Sequence, residues 1–116
     1  DDVESRGLGD VYKRQTLYRV VQECLLNIKK HSQATRVLFH CKKTEQQYEI
    51  LIQDNGKGFT MEEVEDKANS HFGLALIHEG VNLLNGTIHV SSAIGRGTTI
   101  DIKIPLDLHS AVKKNS

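Results

Sequence analysis

The chain has no net formal charge. Its 15 lysines and arginines match 15 aspartates and glutamates across 116 residues, so no overall field steers it toward nucleic acid or anionic lipid. Nucleic-acid binding driven by bulk charge is thereby excluded, and only local patches remain. No apolar run approaches the ~20 residues that a bilayer-spanning helix needs, so no direct membrane contact is expected. No signal peptide leads the sequence, and a cytoplasmic location is expected. Cysteine is scarce. Cys24 and Cys41 sit within apolar patterns and lack CxxC or Cys/His spacing, which favours a reduced pair over a disulfide or a zinc site. There is no internal repeat and no low-complexity tract. What remains is an ordinary soluble mix, 38% hydrophobic and 26% charged, in a length that fits one domain with a single core.

Residues 1–15 mix charges and glycines without a period and read as a disordered or non-native tail. From Thr16, a candidate cap, the residues Leu17, Val20, Val21, Cys24, Leu25 and Ile28 recur at helical spacing and predict a helix to about Ser32. Two strands follow, with Val37, Phe39 and Cys41 alternating in the first and Tyr48, Ile50 and Ile52 in the second. The polar KKTEQ segment between them reads as a hairpin loop, and Asp54-Asn55-Gly56 stops the second strand with turn formers. Residues 61–68 suit a short helix, and residues 68–71, lacking an apolar anchor, read as a mobile loop.

A second long helix is predicted from about Gly73 to Leu84, with Leu74, Ile77, Val81 and Leu84 on one stripe and Gly86 as its stop. Ile88 and Val90, then Ile100, Ile102 and Ile104, mark two further strands joined by a turn at AIGRG. Beyond Pro105 the chain turns polar, and residues 108–116 read as a flexible tail. The order helix, strand, strand, helix, strand, strand predicts an α/β two-layer sandwich over 16–107, its helices on one face of a mixed, mostly antiparallel sheet. Val37, Phe39, Ile50 and Ile102 are the expected sheet face against the helices.

Polar residues also recur in patterns. On the first helix, Glu23, Asn27 and Lys30 or His31 form a polar stripe away from the apolar one. Such a stripe is either a solvated helix face or a metal–phosphate site, since Mg²⁺ takes oxygen ligands and keeps several waters. Asp54 ends a strand just before Gly56 and Gly58. That arrangement is either a capped turn or a place where backbone passes close to a flat ligand while a carboxylate accepts from an exocyclic amine. Phe59 is a core residue or a stacking platform. Gly73 opens a helix whose free N–H groups attract anions, and Gly95 and Gly97 serve a hairpin or a phosphate.

Taken in order, Glu-x-x-x-Asn-x-x-Lys-His (Glu23 to His31), Asp-Asn-Gly-x-Gly-Phe (Asp54 to Phe59), Phe-Gly-Leu (Phe72 to Leu74) and Gly-x-Gly-Thr (Gly95 to Thr98) resemble the N, G1, G2 and G3 boxes of bacterial two-component sensor histidine kinases. The resemblance is to their ATP-binding catalytic domain and, through the segment Tyr18 to Ala34, to the nitrate-sensor-like subgroup. It covers Leu17 to Leu106 and none of residues 1–15. It implies a Bergerat-type fold, shared with gyrase, chaperone and mismatch-repair ATPases, and ATP with Mg²⁺ as the ligands.

Carried over by position, Asn27 would hold Mg²⁺, Glu23 would act as polar partner or base, and Lys30 and His31 would lie near the phosphates. Asp54 would take the adenine amine, with Gly56, Gly58 and Phe59 shaping the pocket. His71, Phe72, Gly73 and Leu74 would belong to the lid, and Gly97 and Thr98 would close the site. Two departures stand out: His71 replaces a glycine of the full G2 box, and Glu79-Gly80 replaces a Glu-Arg pair, with glycine inside a helix costing ~1 kcal/mol relative to alanine. No upstream helix carries a phosphoacceptor histidine. The implied partners are therefore a separate histidine-bearing dimerisation domain and, indirectly, a response regulator, within a parent that is membrane-anchored or soluble. The alternatives are an anti-sigma-factor-like serine kinase and a degenerate nucleotide-binding or docking module.

Overall fold

The computed structural model describes residues 2–60 and 74–106, with side chains from residue 9 onward. The short helix and mobile loop expected between residues 61 and 73, and the tail at 108–116, lie outside the described residues. Helix α1 spans Asp2–Asn27 and runs into a π-helical turn, Ile28–Ser32. Strands β1 (Val37–Lys43) and β2 (Gln47–Asp54), helix α2 (Leu74–Leu83), and strands β3 (Thr87–Ala93) and β4 (Gly97–Pro105) complete the order. The sheet order is β1-β2-β4-β3, and each pairing among these strands is antiparallel. The two-layer α/β sandwich expected from the sequence is the observed fold.

Register explains where the core lies. Residues directly opposite one another share a sheet face, so the inner face reads as rows across the strands. One row is Phe39, Ile52, Ile100 and Val90, and the next is Cys41, Ile50, Ile102 and Ile88. Ile50, Ile52, Ile100, Ile102 and Ile104 are buried against Val20, Cys24 and Ile28 of the first helical segment and Leu74, Ile77, Val81 and Leu84 of the α2 segment. The isoleucine parity of β4 thus does what alternation predicts.

Four expectations are corrected. First, residues 2–15 are helical and continuous with the predicted helix. Lack of an apolar stripe does not stop a helix from propagating, because extension of an existing nucleus needs no burial. Val11 and Tyr12 stay half exposed there. Second, Leu25 is exposed at 41%, since the buried stripe centres on Val20, Cys24 and Ile28. Third, Val37 and Phe39 are 46% and 48% exposed, and Cys41 is exposed as well. They have the inward parity, but β1 is the edge strand and the core contacts of the helices fall on its neighbours. Fourth, the left-handed residue after α2 is Asn85, φ 54°, whereas Gly86 donates its N–H to the Val81 carbonyl at 2.9 Å.

Gly80, unfavourable by propensity, has a packing role. A Cβ there would sit 2.5 Å from Val20 Cγ2, so its absence lets α2 close on α1.

The cysteines differ in reactivity. Cys24 is fully buried and Cys41 exposed, and both are free. Burial, with a smaller contribution from the Glu23 charge, pushes the Cys24 thiol up to about 12. Because the thiolate is the reactive form, an alkylating reagent should label Cys41 in the native protein and Cys24 only after unfolding. Mass spectrometry of the native, labelled chain checks this, and equal labelling would show that the helices do not seal over Cys24. The sign of the pH effect follows: the unfolded thiol loses its proton near 9.0 and the folded one near 12. The unfolded state therefore binds fewer protons in between, and stability falls as pH rises through that window.

Candidate functional site

The apolar rows of the inner face end, at one end of the strands, in a row that is polar beyond Val37: Val37, Asp54, Thr98 and Ser92. Asp54 and Thr98, at the centre of the sheet, are only 5% and 9% exposed. A carboxylate so deeply placed needs partners. Asp54 Oδ1 accepts the Gly56 N–H at 2.8 Å, which leaves further acceptor capacity on the same group. That capacity faces a cavity of about 120 Å³ bounded by the helix end, the loop after β2 and β4. A cavity of about 150 Å³ takes up a benzene ring, so this one suits the planar part of a ligand, with any larger remainder along its open side.

The helix supplies the opposite wall through its change of pitch. Ser32 Oγ donates to the Ile28 carbonyl at 2.6 Å and accepts the Ala34 N–H at 3.1 Å. This hydroxyl takes up the carbonyl that an ordinary turn would use, and the turn widens. Gln33 then ends it in the left-handed conformation, φ 57°. Asn27, at the junction, makes no side-chain capping bond, and both Asn27 and His31 line the cavity.

The loop after β2 is fastened on two sides. Lys57 donates its N–H to the Ser32 carbonyl at 2.7 Å and accepts the Gly95 N–H at 2.6 Å. Asn55 Oδ1 accepts the N–H groups of Thr35 and Arg36, each at 2.9 Å. The glycines permit these approaches. A Cβ at Gly56 would strike the Ser32 carbonyl, and at Gly58, φ +69°, the Ala93 carbonyl. Their close backbone approach here is to the protein's own chain.

Of the residues singled out in the sequence, Asn27, His31, Asp54, Gly58, Phe59, Leu74 and Thr98 meet around this one cavity. Glu23 does not; it lines a separate groove between α1 and α2, with Arg19 and Glu79. Lys30 is exposed, outside the lining. Gly56 and Gly97 support Asp54 from behind, one through its N–H and the other by abutting the Asp54 carbonyl. His71, Phe72 and Gly73 lie outside the described residues. The sequence reading missed Ile28, Ser32, Lys57, Val90 and Ile100 as lining residues. Strand parity places Val90 and Ile100 inward and is the signal that finds them. Lys57, in a turn without periodicity, has no such signal.

This fold brings a buried strand-end carboxylate and a helix asparagine to one cavity, and the family it belongs to is one of ATPases. The chain belongs to the family of histidine kinase-, DNA gyrase B-, and HSP90-like ATPases, whose family model matches residues 12–108. It is 42% identical over 92 residues to the signal transduction histidine-protein kinase/phosphatase DegS of Bacillus subtilis, covering 79% of this chain and 24% of that protein. It is 37% identical over 106 residues to the sensor histidine kinase LiaS of the same species, covering 91% and 27%. The chain thus spans about a quarter of the length of these relatives. Among solved structures it resembles the ATP binding domain of PrrB from Mycobacterium tuberculosis, with a TM-score of 0.65 and 27% identity over 78% of this chain and 67% of that one. The histidine kinase domain of a blue-light activated kinase from Erythrobacter litoralis shares the fold, with a TM-score of 0.71 and 24% identity over 83% of this chain and 46% of that one. No helix among the described residues is long and apolar enough to cross a membrane.

Proposed function

We propose that this domain binds Mg-ATP and supplies its γ-phosphoryl group to a histidine on a separate dimerisation domain, as the catalytic part of a sensor histidine kinase whose product passes to a response regulator. The observation that carries the reading is the buried Asp54 carboxylate, set beside Thr98 and facing Asn27 across the cavity. Asp54 accepts from the adenine amine. Asn27 contributes one neutral side-chain oxygen toward Mg²⁺. Among the described residues no three His, Cys, Asp or Glu side chains gather as a metal cage, so the donor set suits an ion that arrives on the nucleotide and keeps its waters. When bound, Mg²⁺ neutralises phosphate charge. Lys57 and His31 line the same cavity, and the lysine ammonium adds positive charge toward the phosphates. Glu23, placed in the neighbouring groove, acts on the reaction as a base only through a rearrangement of the helix pair. The names of the relatives favour histidine over serine as the acceptor.

Titration of the purified chain with Mg-ATP and Mg-GTP, with and without EDTA, tests the reading. ATP should bind, GTP much more weakly, and chelation should weaken ATP. Equal affinity for both nucleotides would overturn adenine recognition. In the same assay Asn27→Ala should retain much of the ATP affinity seen in EDTA but lose the gain from Mg²⁺. Phosphoryl transfer to a dimerisation domain supplied in trans should then be abolished. Transfer at the unmodified rate would remove Asn27 from the metal's surroundings.

A further inference from the structure

Ser92 lies on β3 directly opposite Thr98, with the inward parity of Val90. A serine hydroxyl has one proton to give and two lone pairs to offer, and here all three are engaged. The Phe59 N–H donates to Ser92 Oγ at 2.9 Å. The Gly97 carbonyl lies 2.9 Å from the same oxygen, and Thr98 Oγ1 lies 2.8 Å away. A carbonyl only accepts, so the single Ser92 proton goes to Gly97. The contact between the hydroxyls then closes in one sense: Thr98 donates and Ser92 accepts. With its proton drawn along the row toward β3, Thr98 presents lone pairs alone to the cavity it lines. Its other neighbour in the row, Asp54, is a carboxylate and also only accepts.

Resting on the ATP-binding reading above, we infer that Ser92 is a positioning residue for nucleotide specificity. By holding the Thr98 proton it makes the ring end of the cavity a surface of acceptors, selective for a purine with an exocyclic amine over one with an oxo group. The two hydrogens of an amine find acceptors there. An oxo oxygen meets lone pairs and stays unpaired, and a site built for one polarity rejects the other strongly because a buried polar group without a partner is penalised. Without the Ser92 hydroxyl, the Thr98 proton is free to rotate toward an oxo group.

The experiment compares Kd values for Mg-ATP and Mg-inosine triphosphate, which carries an oxo group and a ring N–H in place of the amine arrangement, on the full chain by calorimetry. In Ser92→Ala the ratio of the two should narrow about fivefold or more, the worth of one neutral hydrogen bond, mainly through tighter inosine triphosphate binding. Ser92→Thr keeps the hydroxyl and should retain the original ratio. Should the alanine variant fail to fold, Ser92→Cys carries the same expectation, because a thiol is weak in both roles. Equal weakening of both nucleotides, or an unchanged ratio, would overturn the inference, since a merely structural serine moves both alike. Binding of ATP without preference by the unaltered chain would overturn this inference together with recognition of the adenine amine, and leave nucleotide binding itself standing. Failure of the unaltered chain to bind ATP would remove the underlying reading and the inference together.

Discussion

Asp54→Asn should weaken ATP binding by ~1.5–3 kcal/mol, the worth of a hydrogen bond to a charged group, and leave the fold intact. The asparagine oxygen can still accept the Gly56 N–H that Asp54 Oδ1 accepts at 2.8 Å, so the turn keeps its shape. Its amide nitrogen then points where a second acceptor stood. An amine on the ligand meets a donor there, and the full cost of a mismatched buried pair falls on binding. Calorimetry with Mg-ATP measures the effect, and the thermal midpoint of the variant shows whether the turn survived. Affinity unchanged in a folded variant would mean that the carboxylate serves the turn alone.

The second large effect is on folding. Gly97 has φ +78°, and a Cβ on it would strike the backbone carbonyl of Asp54. Neither atom can swing aside, since both belong to the paired central strands β2 and β4. Gly97→Ala should therefore cost about 3 kcal/mol or more, combining left-handed backbone strain with overpacking. It also forces the strands apart at the row that holds Asp54 and Thr98. Gly95 provides an internal control, because its φ is +79° yet nothing lies within 4 Å of the added carbon. Gly95→Ala should cost only the conformational part, about 1 kcal/mol. Denaturant unfolding of both variants isolates the steric part, and equal losses would show that the contact with Asp54 is relieved.

Much of this architecture is legible in the residues because alternation and helical spacing report burial directly. Ile100, Ile102 and Ile104 announce β4, and the helix end at Ser32 falls where it is expected. Parity, however, gives a face and not a neighbour. Val37 and Phe39 have the inward parity of core residues, but only the strand order reveals them at an edge. For the site, Asn27, Asp54 and Thr98 are recognisable as motif members, while their meeting depends on register, which sets Asp54 beside Thr98 and Thr98 beside Ser92. Parity would have placed Ser92 inward with Val90. Its bond to Phe59 has no local signature, because it joins segments far apart along the chain, whereas its bond to Gly97 closes within the β3–β4 hairpin. Glu23 shares a helix stripe with Asn27, yet it opens onto a different groove.

The paired bonds of the Lys57 backbone, one to Ser32 and one to Gly95, make that residue a rivet through three layers of chain. The end of the first helix, the loop after β2 and the tip of the β3–β4 hairpin are fastened at a single residue, so none can shift without dragging the other two. A force applied at the hairpin tip is thereby felt at the widened helical turn beside Asn27. The side chain can vary without loosening this joint, because only main-chain atoms form it. Proline is the one exception, since it would remove the N–H that reaches Ser32.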